Sequence, residues 1–338
     1  MMGSETEQAS QVSGTALLFR RLFSLEALPI IIATCLLFIF FGLKEPRFWQ
    51  SLNLINVLRN SAYLIIIASG QMLVLITGGF DLSVGAVVGL SSIVTALTMA
   101  GAAELAPGHV GLIVASGVVA ALLAGSLVGL CNGLCVALLK VNPFIVTLGT
   151  MSIATGLTFY VTAGRPIYGM PEAFIFGFGR IRWLGLPASI YLTAAVMLAL
   201  WLVLNWTRLG RYLYAIGGNP HAAHVSGIPI NLCTTVAYLY CGMLAALAGV
   251  LLTAKVGSGE GTMGGNYMLE SIAAAVLGGV SLGGGVGRVE FVILGGFFLT
   301  MVTNGMNLMW VDSRYQTIVV GALLILAVAL DRIRRQKA

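Results

Sequence analysis

Long apolar runs dominate this chain, and they limit it to folds that place most of its surface in lipid. Of its 338 residues, 58% are hydrophobic and only 9% are charged, whereas soluble domains carry about 25% charged residues. The mean hydropathy is +0.98. A single soluble core could not bury so much apolar surface, so the composition predicts an all-α integral membrane protein.

Ten apolar runs are candidate membrane spans, because about 20 apolar residues cross a bilayer. The run 268–279 is too short to span alone, so a tilted or re-entrant segment is predicted there. The expected fold is therefore an all-α membrane protein with about ten transmembrane helices, some of them broken or short. The ten runs are 27–43, 60–78, 84–100, 111–139, 144–163, 188–206, 232–254, 268–279, 290–309 and 316–331.

Polar ends flank one transmembrane domain. Residues 1–26 are expected to form a cytoplasmic amino-terminal tail, residues 27–331 the transmembrane domain, and residues 332–338 a cytoplasmic carboxyl-terminal tail. The basic ending DRIRRQKA is the clearest orientation signal, since Lys and Arg are retained on the cytoplasmic side. With ten spans, this orientation places the loop 207–231 in the cytoplasm and the loop 164–187 outside.

One glycine-rich motif occurs twice. TGGFDLSVG at 77–85 is echoed by LGGVSLGGG at 277–285, an offset of 200 residues. Each copy ends one apolar run and begins another, and in the predicted topology both run towards the cytoplasm. The echo therefore predicts a parallel internal repeat, a common feature of transporters. The alternative is chance recurrence in a chain with 43 glycines.

Asp81 is a carboxylate within one of these motifs, where ionisation in hydrocarbon costs several kcal/mol. Gly78 and Gly79 break the preceding helix, and the aspartate then lies where it can cap the next one and meet its positive dipole end. Contact with a substrate or proton is the alternative. The echo has an uncharged capping residue, which favours capping. The predicted break-and-cap residues are Gly78, Gly79, Asp81, Gly278, Gly279 and Ser281.

A few polar side chains interrupt the apolar runs. Asn132 and Asn304 could bond neighbouring helices or face a polar pathway, and Thr147 could bond its own helix or line a pore. Together they suit a route for a polar, uncharged solute. Embedded Lys, Arg and His are scarce, which argues against a proton- or ion-driven carrier. The candidate translocation path comprises Asn132, Phe144, Thr147 and Asn304.

Several functional classes lack their sequence signatures. The net charge of +6 comes mostly from residues at span ends, so nucleic-acid binding is not expected. GGVSLGGGVG at 278–287 lacks the Gly-Lys-Ser/Thr ending of a phosphate loop, and no nucleophile elbow is present. Neither a cofactor, a metal site nor an enzymatic activity is predicted. The five cysteines are expected to pack as small apolar residues: Cys35, Cys131, Cys135, Cys233 and Cys241.

The predicted inner loop contains GGNPHAAHVSGI at 217–228. A turn over 217–220 is expected to precede a short helix, 221–226, which ends at Gly227. Such a helix is too short to be stable alone, so it makes sense when docked on a partner. An ordinary connecting loop is the alternative.

Five motifs in order make the chain resemble the ribose/xylose/arabinose/galactoside branch of bacterial ABC-transporter permeases. The resemblance covers about residues 28–331. The motifs are GGFDLSVG at 78–85, PFIVTLGT at 143–150, AIGGN at 215–219, AA with GI at 222–223 and 227–228, and LGG at 277–279 continuing through 287.

This resemblance implies a ten-span permease in the bacterial inner membrane that gives a monosaccharide an alternating path. It also implies a second permease subunit, cytoplasmic ATP-binding subunits and a periplasmic sugar-binding protein, besides lipid. The sugar and the identity of the second permease remain open. A secondary carrier or channel and a branched-chain amino-acid permease are the rival interpretations.

The family's inner loop carries a Glu-Ala-Ala-x-x-x-Gly pattern that docks a short coupling helix on the ATPase. His221 stands where Glu is typical and His224 where Arg is common, so a salt bridge at this place is in doubt. We hypothesise that these two histidines tune the choice of partner or make coupling pH-sensitive. The resemblance assigns ATPase coupling to Gly217, Gly218, Asn219, His221, Ala222, Ala223 and Gly227.

Overall fold

The computed structural model describes residues 28–337, without the side chains of residue 330 and residues 333–337. The predicted tail 1–26 lies outside the described residues. The main helices are α1 (Leu28–Lys44), α2 (Ser51–Ile76), α3 (Val84–Leu105), α4 (Val110–Ala137), α5 (Pro143–Thr162), α6 (Ala188–Trp206), α7 (Arg208–Gly218), α8 (Pro220–Val225), α9 (Ile230–Val256), α10 (Tyr267–Leu277), α11 (Val289–Leu308) and α12 (Ser313–Lys337).

Every one of the ten apolar runs coincides with a helix. Seven helices within residues 28–337 are long and apolar enough to cross a membrane, namely α2, α3, α4, α5, α6, α9 and α11. Shorter apolar helices cover Leu28–Lys44, Tyr267–Leu277 and Ser313–Ala329. The structure therefore supports a multi-pass membrane protein, whereas ten complete spans stay a prediction. The predicted carboxyl-terminal tail continues α12 as helix to Lys337.

Short elements connect the long helices. A 3-10 turn, Pro46–Trp49, lies between α1 and α2. The predicted outer loop contains a helical turn, Glu172–Phe174, which continues into a π-helical turn, Ile175–Arg180. It ends in a two-stranded antiparallel hairpin of β1 (Arg182–Trp183) and β2 (Leu186–Pro187), in which Arg182 faces Pro187.

Local sequence explains where several helices start and stop. Asn-Pro occurs before α5 and again before α8, and in both places proline is the first helical residue. The Asn142 side chain accepts a hydrogen bond from the Phe144 N–H at 2.9 Å, and Asn219 accepts one from the Ala222 N–H at 3.0 Å. These bonds satisfy amide groups that have no partner in a first helical turn.

α9 forms the centre of the bundle and packs against α2, α3 and α4. Glycines allow the closest of these contacts: a Cβ at Gly129 of α4 would overlap the carbonyl oxygen of Tyr238 in α9. α2 is 89% buried over its apolar window, whereas the window of α4 is 22% buried and that of α5 17%. The exposed apolar faces of α4 and α5 suit lipid or another membrane protein.

The bundle has two distinguishable ends. The lower end holds residues 207–231, and Lys140 Nζ reaches it by donating to Asn231 Oδ1 at 2.8 Å. At the upper end the predicted outer loop pairs with the chain after α9, because Ile167 and Gly259 exchange both backbone hydrogen bonds. The loops 164–187 and 207–231 therefore lie at opposite ends of the bundle, which is consistent with the topology predicted from the sequence.

The chain re-enters the bundle without helical structure before α10. The Glu260 N–H donates to Ser92 Oγ of α3 at 3.0 Å. Deeper along α3, the backbones of Gly261 and Gly264 touch Gly89 and Gly85. Irregular backbone is tolerated at such depth only where protein buries it. α10 has 11 residues, about 16 Å at 1.5 Å per residue, so this predicted span is short as expected.

Candidate functional site

The first break follows α2. Gly78 has φ +81°, a left-handed conformation that glycine adopts without penalty. The Gly79 N–H donates back to the Val74 carbonyl at 3.1 Å, which completes a Schellman cap. The chain is then non-helical until α3 begins at Val84. Gly78 and Gly79 therefore break the helix as predicted.

Asp81 is completely buried in this unwound segment. Its Oδ1 accepts hydrogen bonds from the Ser83 N–H at 2.8 Å and from Ser83 Oγ at 2.6 Å. Asn132 of α4 donates to Ser83 Oγ at 2.9 Å and lies 3.4 Å from the Asp81 carboxylate. Asp81 was predicted to cap α3, but the N-cap residue is Ser83, two residues later. The aspartate orders the entrance to α3 by bonding Ser83. Asn132 makes the predicted interhelical bond.

Two side chains that the sequence analysis missed satisfy the backbone of this segment. With its amide orientation assigned from these two neighbours, Gln71 donates to the Asp81 carbonyl at 3.0 Å and accepts from the Asp81 N–H at 3.3 Å. The Tyr238 hydroxyl donates to the Phe80 carbonyl at 3.1 Å. Both residues are fully buried. A lone glutamine in an otherwise apolar run was the available signal, since buried amides in membrane helices need partners.

The second break follows α10 and has the same cap. Gly279 has φ +80°, and the Val280 N–H donates to the Ala275 carbonyl at 3.0 Å. Gly78 therefore matches Gly279, an offset of 279 − 78 = 201 residues, one more than the sequence alignment gives. Gly278 has a different role, because a Cβ there would overlap the Phe291 carbonyl oxygen. The shared cap ends both helices, but the loops that follow differ in length.

The prediction that Ser281 caps a helix is wrong. α11 begins only at Val289, with Arg288 as its N-cap residue. Ser281 instead closes a tight loop, in which its N–H donates to the Val286 carbonyl at 3.0 Å. Its hydroxyl lies 3.3 Å from a carboxylate oxygen of Asp331 in α12. A serine before an apolar run could not reveal that seven residues of loop separate it from the next helix.

The two breaks meet at the lower end together with α7. The Gly285 N–H donates to the Ile76 carbonyl at 2.9 Å. Gly217 of α7 lies against both groups, so that a Cβ on Gly217 would overlap the Ile76 oxygen and the Gly285 nitrogen. A Cβ at Gly284 would lie 2.9 Å from Gly217 Cα and 3.1 Å from the Gly78 nitrogen. We call the contact of Gly78, Gly217, Gly284 and Gly285 the glycine junction.

Tyr214 fastens α7 to the same loop. Its hydroxyl donates to the Gly287 carbonyl at 2.7 Å. Burial, followed by the nearby Glu290 carboxylate, raises the pKa of Tyr214 to about 12. The hydroxyl is therefore protonated, and available as a donor, throughout the physiological pH range.

The segment 207–231 is more ordered than the predicted loop. Gly217 and Gly218 complete the helix α7 instead of forming a turn. The predicted short helix is α8, which Asn219 caps and Gly227 ends with φ +77°. The Ile228 N–H donates to the Ala223 carbonyl at 3.1 Å, so α8 also has a Schellman cap. Asn219 and Gly227 thus shape the helix.

α8 presents one face outward and one inward. His221, Ala222 and His224 are exposed, as docking requires. Ala223 is 3% exposed and packs on the helical bundle itself, on the inward face of α8, so its role in coupling stays a prediction. Val225 is 74% exposed and was missed. An exposed valine in a short polar segment could have identified it, because apolar surface at such a place favours a protein contact.

Comparisons with known proteins decide the family. The family described as branched-chain amino acid transport system / permease component matches residues 53–328. The chain belongs to this permease family.

Relatives of the permease include several sugar import proteins. The ribose import permease protein of Escherichia coli strain K12 is 41% identical, covering 89% of this chain and 92% of that protein. The ribose import permease protein of Bacillus subtilis strain 168 is 40% identical, with coverages of 88% and 90%. The D-allose transport system permease protein of E. coli K12 is 35% identical, with coverages of 90% and 90%. No solved structure matches the permease.

The predicted path residues of the permease are not brought together. Phe144 is 56% exposed at the start of α5, and the buried Thr147 bonds the Pro143 carbonyl of its own helix at 2.8 Å. Asn304 donates to Asn53 Oδ1 at 2.9 Å, which joins α11 to α2. Asn132 lies at the first break, as described above. Their role in a path stays a prediction.

Two of the cavities that the described residues form lie elsewhere in the permease. A cavity of about 60 Å³ at the upper end includes Thr162, Arg165 and Glu260 in its lining. Another, of about 320 Å³, lies at the lower end between Asn205, Tyr214 and the loop 285–290. Neither contains a predicted path residue. Among the described residues, no three His, Cys, Asp or Glu side chains are placed to hold a metal ion.

Proposed function

We propose that the chain is the inner-membrane permease subunit of an ATP-driven sugar importer, in which it forms the path for a monosaccharide. The observation that carries this proposal is 41% identity over nearly the whole chain to a ribose import permease. Permeases for D-allose and for galactose/methyl galactoside are also similar, at 35% and 38% identity. A monosaccharide is the substrate class that these names share.

In this proposal, partner proteins supply energy and substrate. Cytoplasmic ATP-binding subunits dock on the exposed face of α8, and a periplasmic binding protein delivers the sugar to the upper end. A second permease subunit, either a second copy or a sister chain, completes the membrane part. The exposed apolar faces of α4 and α5 support such a contact. The permease itself performs no catalysis.

The path is proposed to depend on the two glycine breaks. The unwound segment of the first break, residues 79–83, lies inside the bundle, which is where discontinuous helices of transporters place their substrate sites. Hydroxyl and amide groups, including Asn132, offer neutral hydrogen bonds to a sugar. Scarcity of embedded cations and the burial of Asp81 fit a neutral solute.

The test is purification of the tagged permease from its own membranes in mild detergent, followed by identification of what co-purifies. An ATP-binding protein is expected in the complex. Proteoliposomes containing that complex are then assayed with radiolabelled ribose, galactose and leucine, with and without internal ATP and the binding protein. ATP-dependent uptake of a sugar supports the proposal. A permease that purifies alone and moves solute without ATP contradicts it, and uptake of leucine alone indicates an amino-acid permease.

A further inference from the structure

We infer that the glycine junction transmits movement of α8 to both helix breaks, which makes Gly217 and Tyr214 positioning residues for transport. The inference rests on the proposed function, since it assumes an ATPase partner on α8. It adds a route and named residues to that function.

The first step of the route is short. Only Asn219 separates the end of α7 from the start of α8. Its side chain caps α8, and its N–H donates to the Ala215 carbonyl at 3.0 Å, so the connection has bonds on both sides. A displacement of α8 therefore reaches the carboxyl end of α7, where Gly217 lies.

The second step is a contact between backbones. Gly217 has no side chain, and it meets the Ile76 carbonyl and the Gly285 N–H directly. Side chains at a contact can change rotamer and absorb a displacement, whereas packed backbone atoms cannot yield without moving their segments. The Tyr214 hydroxyl bond to Gly287 holds α7 on the same loop. Both groups therefore transmit a push or a pull.

The third step divides the movement between the two breaks. Ile76 ends α2, whose Gln71 holds the unwound segment at Asp81. Gly285 belongs to the loop after α10, where Ser281 reaches Asp331 of α12. Both breaks lack continuous helical hydrogen bonds, so both can bend at low cost. One contact thus acts on the two segments that approach the interior of the permease.

A buried thiol near the first break reports on this route. Cys241 of α9 is 1% exposed and faces α2, where a Cβ at Gly70 would lie 3.1 Å from Cys241 Cα. Replacing the other four cysteines by alanine leaves it as the single thiol. The rate of its reaction with N-ethylmaleimide is measured in the co-purified complex, first without nucleotide and then after trapping with ADP and vanadate. No sugar is needed for this readout.

The decisive variant is Gly217→Ala. In the single-cysteine parent, trapping is expected to change the labelling rate by at least about fivefold, the low end of usual coupling. In Gly217→Ala, the same amount of ATPase co-purifies but the change is lost. Gly321→Ala is the matched control, because it adds the same methyl group to a helical glycine with open space around it, and it is expected to respond as the parent.

A second variant, Tyr214→Phe, tests the inference independently in case Gly217→Ala misfolds. Tyr214→Phe adds no atom and removes only the bond to Gly287, so the response is expected to fall about fivefold, as for the loss of one neutral hydrogen bond. A parent that does not respond overturns the inference, and so does a full response in both variants. If no ATPase co-purifies even with the parent, the proposed function fails and the inference fails with it.

Discussion

The side-chain amide of Gln71 bonds both backbone groups of Asp81, accepting from the N–H at 3.3 Å and donating to the carbonyl oxygen at 3.0 Å. The amide thus supplies the two hydrogen bonds that a neighbouring β-strand would form with one residue of extended chain. Such a chain is tolerable inside a membrane protein because its polar groups have partners.

Gln71→Leu is expected to destabilise the permease, because it leaves two buried backbone groups unpaired. Each costs about 1–3 kcal/mol. The apparent melting temperature of the purified protein in detergent, followed by size-exclusion chromatography after heating, measures the effect. Ser116→Ala is the control, since the Ser116 hydroxyl bonds only the Ile113 carbonyl of its own helix. Equal melting temperatures for the two variants would show that the amide does not support the break.

The variant Asp81→Asn distinguishes two roles of Asp81: ordering the unwound chain by hydrogen bonds, and contacting a substrate or proton through its charge. The asparagine oxygen can still accept the Ser83 N–H bond, so uptake is expected to stay within a few-fold of wild type, whereas Asp81→Leu abolishes it. Initial rates of ATP-dependent sugar uptake in proteoliposomes decide between the two roles. If Asp81→Asn folds normally but loses uptake, the carboxylate itself contacts the substrate or a proton.

Gly279 is expected to tolerate asparagine better than valine. Its φ of +80° lies in the left-handed region, which Asn adopts more readily than β-branched residues. Space does not distinguish them, because the nearest atom to a Cβ there is Phe291 Cδ2 at 3.9 Å. Gly279→Val should lower the melting temperature more than Gly279→Asn. The free energies of unfolding of the two variants should differ by about 1 kcal/mol or more. Identical melting temperatures would contradict the strain argument.

Val225 is expected to contribute to docking. Val225→Glu places a charge on the exposed face of α8, so less ATP-binding protein should co-purify, whereas Val225→Leu keeps the apolar contact and the yield. Pull-down yields at equal permease loading measure this effect. Ala223→Glu is unsuitable for the purpose, because Ala223 is buried and the variant would unpack α8. Undiminished capture by Val225→Glu would place the docking face elsewhere.

The histidine pair provides a pH test. Both side chains are exposed on the docking face of α8, and histidine is the side chain that most often serves as a pH switch in proteins. Uptake by wild type is expected to change between about pH 5.5 and 8 more than uptake by a His221→Gln, His224→Gln variant. Proteoliposomes with a fixed external sugar concentration and varied internal pH, on the ATPase side, measure both profiles. Superimposable profiles would remove the histidines from coupling.

Much of the fold was accessible from local patterns. The ten apolar runs mark ten helices, and the two Asn-Pro pairs mark helix starts, since side-chain capping and the fixed φ of proline act within a few residues. The glycine at 78 marks a left-handed helix end for the same reason. The number of membrane spans did not follow from these patterns, because α10 lacks the length of a span and depends on surrounding protein to bury the chain before it.

The sequence by itself determined a multi-pass helical membrane protein, its permease family, both helix breaks and the short helix α8, because hydropathy and capping are properties of neighbouring residues. Only the tertiary structure decided that Gln71 and Tyr238 complete the first break, that Ser281 caps no helix, that Ala223 faces inward, and that the breaks meet α7 at Gly217. These features depend on contacts between residues as far as 209 positions apart, as between Ile76 and Gly285, which no local pattern encodes.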